Sequence, residues 1–75
     1  MFGFPSREVV ESLRKEYPEG TRVELVRMND MYTKLKQGDK GTVCYVDDAG
    51  TIFVRWDNGS GLGVAYGEDS CRKIG

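Results

Sequence analysis

The sequence predicts a mainly-β fold, a small five-stranded barrel preceded by one N-terminal helix. Three observations carry this. The apolar spacing is helical up to Tyr17 and changes to a period of two from Thr21 onward. Short alternating runs then recur, separated by turns rich in Gly, Asp and Asn. At 75 residues the chain forms one small domain, 1–75, with a helix at 6–17 and the barrel at 21–75. Closure of so small a sheet removes exposed strand edges.

SREVVESLRKEY (6–17) is the helix. Ser6 is a good N-cap, and Glu8 and Glu11 suit the positive N-terminal end. Val9, Val10, Leu13 and Tyr17 form one apolar stripe, and Pro18 and Gly20 end the run. A helix of about three turns is marginal alone, so it must dock on its own barrel or on a neighbouring chain. TRVELVR (21–27) is a half-buried strand with Val23 and Leu25 inward. Residues 28–40 are a long polar connection without a clean period. In GTVCYVD (41–47) Val43 points inward, and Val46 joins it if the strand bends or bulges. DDAG (47–50) is a turn.

TIFVRW (51–56) is the clearest strand, with Ile52, Val54 and Trp56 on one face and Phe53 and Arg55 on the other. That parity makes Trp56 a core anchor rather than a stacking platform. DNGS (57–60) contains Asn58-Gly59, a hairpin signal that expects positive φ at both central residues. In GLGVAY (61–66) Leu62, Val64 and Tyr66 share a face, while Gly61 and Gly63 mark a bend, a bulge or a close backbone approach. GEDS (67–70) is a short turn, and CRKI (71–74) is the last strand. The expected core is Val23, Leu25, Val43, Ile52, Val54, Trp56, Leu62, Val64 and Ile74, with Val9 and Leu13 from the helix.

Composition removes several function classes. Eleven basic residues face twelve acidic ones, a net charge of −1, without the basic excess of a dedicated duplex-DNA binder. The chain has no histidine, so neither a Cys-His pair nor a Ser-His-Asp triad is possible within it. The glycines at 59, 61 and 63 lead into a strand, whereas a phosphate cradle needs a helix to follow. A single Trp-Asp pair at 56–57 does not make a repeat. Asp47, Asp48 and Asp57 sit in turns, where aspartate serves the backbone, so a metal-dependent hydrolase is not the expectation. No apolar run is long enough to span a membrane, and MFGFPSREVV lacks the pattern of a secretory leader. The expectation is a cytoplasmic protein with reduced Cys44 and Cys71, without cofactor, metal or small-molecule substrate, and not an enzyme.

Two binding classes remain. One is a protein-interaction or self-association module, acting through the helix or an uncovered edge. The other is a nucleic-acid-binding accessory domain, with Arg27, Tyr32, Lys34, Lys36, Phe53 and Arg55 as its candidate surface. Lys40 belongs to the same cationic cluster. The aromatics Tyr32, Tyr45, Phe53 and Tyr66 are the residue types of a cage for a methylated cation. Single placement over the barrel is the expectation for them, because no acidic partner is set by spacing.

GDKGTVCYV (38–46) resembles the glycine-centred motif of KOW-type SH3-like barrels through Gly41, Val43 and Val46. The longer run YPEGTRVELVRMNDMYTKLKQGDKGTVCYVDDAGTIFVRWDNGSGLGV (17–64) is similar to a small bacterial and phage-associated family classed as a domain of unknown function. The shared features are Tyr-Pro-x-Gly-Thr-Arg-Val, a Pro- or Gln-Gly before Gly-Thr-Val, and Trp-Asp-Asn-Gly-Ser. Where Pro is common at 36 or 37, this chain has Lys36 and Gln37. The resemblance implies an SH3-like barrel, often encoded on mobile elements, and carries over no catalytic residue.

Overall fold

A computed structural model describes residues 5–29 and 34–75. It contains α1 (Arg7–Glu16) and five strands, β1 (Arg22–Arg27), β2 (Lys40–Val46), β3 (Ile52–Trp56), β4 (Gly63–Val64) and β5 (Ser70–Lys73). The strands form one antiparallel sheet in the order β4-β3-β2-β1-β5.

The helix begins where expected. Ser6 Oγ accepts the Val9 N–H at 3.2 Å, and the Tyr17 N–H closes the last turn on the Leu13 carbonyl at 2.8 Å. It docks on its own sheet. Val10 is its buried residue, and Leu13 and Tyr17 pack partly buried against the sheet core. Val9, expected in the core, is only half-buried, because the buried line runs i, i+3, i+7 from Val10. Arg14 ties the helix to the end of β2. Its Nε donates to the Val46 carbonyl at 3.1 Å and its Nη2 to Asp48 at 2.7 Å.

The core comprises Val23, Leu25, Leu35, Val43, Val46, Ile52, Val54, Trp56 and Val64. Leu35 is the addition. It comes from the connection read as long, polar and without a clean period, and is 7% exposed. Residues 36–39 fold back on β1, with Gly38 N–H donating to the Leu25 carbonyl and Leu25 N–H to the Asp39 carbonyl. Ile74 is half-buried at the sheet margin, and Leu62 packs partly buried against the core.

Trp56 is 1% exposed, and its indole N–H donates to the Leu62 carbonyl at 2.9 Å. That bond satisfies the buried indole and takes the Leu62 carbonyl. The expected six-residue return strand is two residues long, pairing Ile52 with Val64 and Phe53 with Gly63, with the Leu62 carbonyl taken before it and the Ala65 N–H bonded to Asp69 after it.

The 57–60 hairpin also differs from expectation. Gly59 has φ +95°, but no residue other than glycine has positive φ among those described. Gly59 N–H donates to the Trp56 carbonyl, and Trp56 N–H to the Ser60 carbonyl. This is a three-residue loop ending on a left-handed glycine. Asn58 instead accepts the Ser60 N–H on its side chain at 2.9 Å.

The sheet is not closed. Among the described residues no ladder joins β4 to β5. The shortness of β4 is one reason. The other is Asp69, which holds the intervening turn by accepting the Ala65 N–H at 3.0 Å and the Asn29 N–H at 2.8 Å. No helix among the described residues is long and apolar enough to cross a membrane.

Two bulges shape the sheet. Val26 is the extra residue in β1 against β5, and Cys44 the extra residue in β2 against β3. Gly41 on β2 is packed directly against β3, opposite Trp56. A Cβ there would stand 2.6 Å from Val54 Cγ1, 2.8 Å from the Arg55 carbonyl and 2.9 Å from Trp56 Cε3. Gly41→Ala is therefore expected to destabilise the fold by about 1–3 kcal/mol through overpacking. Gly61→Ala, with nothing within 4 Å of its Cβ, should stay within about 0.5 kcal/mol of the parent. Urea unfolding of the two variants checks the contrast.

Candidate binding groove

The Cys44 bulge decides what the outer face of β2–β3 presents. Without it, Tyr45 would share the inward face with Val43. With it, Val46 turns inward and Tyr45 outward, opposite Phe53. The two rings stack, with centroids 4.8 Å apart and planes 20° from parallel. Phe53 reaches the other way over Gly63, where a Cβ would come within 3.3 Å of its ring. Phe53 is thus held between β4 and Tyr45. Tyr45 remains 56% exposed.

This pair lines an open groove of about 860 Å³ that also meets Glu19–Gly20, Thr42, Cys44, Arg55, Asp57 and the turn Gly59–Gly61. Thr42 pairs across the sheet with both Arg55 and Arg22. From that row the Arg22 guanidinium grips the Asp57 carboxylate with two hydrogen bonds, at 2.9 and 2.7 Å, and donates to Thr42 Oγ1 at 3.0 Å. The hydrogen bond from Arg22 holds the Asp57 carboxyl below its usual range. The side chains of Glu19 and Arg55 have no hydrogen bond or ion pair among the described residues.

The sequence-derived candidates divide between two places. Phe53 and Arg55 line the groove. Arg27 is exposed at the far end of β1, five positions beyond Arg22 in the Arg55 row, which is roughly 15 Å along the strand. Lys34 and Lys36 are exposed in the connection that folds back beside Leu25, near that same far end. Tyr32 lies outside the described residues. Arg27, Lys34 and Lys36 are therefore not brought to Phe53 and Arg55.

Tyr45 and Phe53, expected to lie singly over the surface, are instead stacked on each other, and Glu19 is not among the sequence-derived candidates. The signal for Tyr45 was the i, i+3 spacing of Val43 and Val46, which a flat strand does not accommodate. Glu19 carried no signal, since its position depends on the chain crossing from helix to sheet.

The turn aspartates all have partners within the fold. Asp47 accepts the Ala49 and Thr51 N–H groups, Asp48 pairs with Arg14, and Asp57 with Arg22. Among the described residues no three His, Cys, Asp or Glu side chains are grouped to hold a metal ion.

The family model of the domain of unknown function DUF4314 matches residues 6–74. The chain belongs to this family. No curated protein and no solved structure matches it. The DUF4314 match covers the α1 segment as well as the sheet.

Both cysteines of this DUF4314 chain are free and half-buried. Burial pushes the Cys71 thiol up to about 11. Burial, and secondarily the nearby Cys71, also raises the Tyr17 hydroxyl. Because the folded thiol ionises later than an unfolded one, its contribution to stability is intact below about pH 8.5. It is lost as the pH rises toward about 11. The urea midpoint of the parent should therefore fall through this alkaline window, and Cys71→Ala should flatten the fall. Equal slopes in the two proteins would contradict it.

Proposed function

We propose that this domain is a non-enzymatic binding module that takes a peptide segment of a partner protein in the groove over β2 and β3. The stacked Tyr45–Phe53 pair in an open groove with charges of both signs is the observation that carries this reading. Such rings supply contact area at low entropic cost. An SH3-like barrel is the fold assignment we favour. A five-stranded antiparallel meander whose last strand returns to pair with the first supports it.

A nucleic-acid surface fits less well. The carboxylates of Glu19 and Asp57 border the same groove as Arg55, and Arg14, Arg22 and Arg72 are each paired with a carboxylate. A backbone-tracking site would carry one sign of charge.

Selection of a phage-displayed random peptide library on the full chain tests the module. An enriched sequence that binds the parent at least tenfold more tightly than Tyr45→Ala is the expected outcome. Two results would overturn the reading: no enrichment, or enriched peptides indifferent to Tyr45→Ala. Binding of a twelve-nucleotide oligo-dT that collapses with added salt would replace it with the nucleic-acid alternative.

A further inference from the structure

Glu19 and Arg55 are the charged residues of the groove left without a partner among those described. Their opposite signs are laid out in a definite way. Arg55 lies on β3 in the row of Thr42 and Arg22. Glu19 precedes Gly20, whose N–H donates to the Val43 carbonyl from the β1 side of β2. Arg55 and Glu19 are thus two strand spacings apart and displaced along the strands, a backbone separation on the order of 12 Å. Tyr45 is on the strand between them and carries the exposed ring.

An extended peptide repeats its side chains on one face every second residue, so positions i, i+2 and i+4 point the same way over about 13 Å. We infer that the groove takes an extended segment of the form acid–x–ring–x–base, with the acid at Arg55, an aromatic or proline ring against Tyr45–Phe53, and the base at Glu19. This deepens the peptide-binding reading above and rests on it. Charge complementarity selects this occupant. A segment with two acids leaves one facing Glu19, one with two bases leaves one facing Arg55, and an uncharged segment leaves both groove charges unanswered. Asp57 does not compete for the base, because Arg22 holds both of its oxygens.

The test uses fluorescein-labelled seven-residue peptides and the full chain, read by fluorescence anisotropy at low salt. Gly-Glu-Ser-Trp-Ser-Arg-Gly should bind at least tenfold more tightly than its acid–ring–acid, base–ring–base and Gln–ring–Gln counterparts. It should also bind more tightly than a version with the three residues adjacent. Amide shifts in a nitrogen–proton NMR spectrum should cluster at Glu19, Tyr45 and Arg55. Glu19→Arg should reverse the preference toward the acid–ring–acid peptide, and Arg55→Glu toward the base–ring–base peptide. Both variants are exposed, and their circular dichroism should match the parent.

Equal binding of all the peptides, or variants that leave the preference unchanged, would overturn the charge pattern. Library peptides that depend on Tyr45 but ignore Glu19→Arg and Arg55→Glu would overturn it too, while leaving the peptide module standing. Failure of the library selection itself removes the module as well.

Discussion

Between Val43 and Tyr45, β2 takes two steps where β3 takes one, and the extra residue is Cys44. Side chains alternate with a period of two, so one inserted residue exchanges the faces of everything beyond it. Val46 moves into the core beside Ile52, near the Arg14 guanidinium that bonds its carbonyl. Tyr45 moves out and meets Phe53. The inward turn of Val46 and the outer ring pair that lines the groove thus follow from the same register shift. Gly41 at the other end of β2 keeps the two strands close enough for Trp56 and Val54 to fill the interior.

Charge is distributed by a similar economy. Arg14 with Asp48, Arg22 with Asp57 and Arg72 with Glu24 join segments far apart in sequence. Exposed pairs of this kind add little to stability, because solvent screens them. Their larger effect is electrostatic, because they neutralise arginines that would otherwise make the surface more cationic. What stays unanswered in the groove is one charge of each sign, at Glu19 and Arg55.

Much of the fold was legible because it depends on local pattern. Ser6 capped the helix as its side chain dictates. The alternation of Ile52, Val54 and Trp56 correctly placed the tryptophan in the core. The departures share a cause, since in each a distant group captured a backbone or a side chain. The Trp56 indole took the Leu62 carbonyl and Asp69 took the Ala65 N–H, on either side of the two-residue β4. Asp69 held the turn between β4 and β5, where no ladder among the described residues closes the sheet. Leu35 became core because the connection folded back on Leu25, a contact without periodicity to reveal it.

The candidate surface shows the same division. Sequence parity alone determined that Phe53 and Arg55 face outward, and the missing histidine alone determined that the familiar histidine-based catalytic arrangements are absent from the chain. Which residues share a surface was decided by strand order and register. Those put Arg27, Lys34 and Lys36 at the far end of β1 and brought Glu19 and Tyr45 to Phe53 and Arg55. The physical reason is range. The direction of a side chain is set by the backbone of its own strand, whereas its neighbours are set by hydrogen bonds to other strands, and a single bulge can change all of them at once.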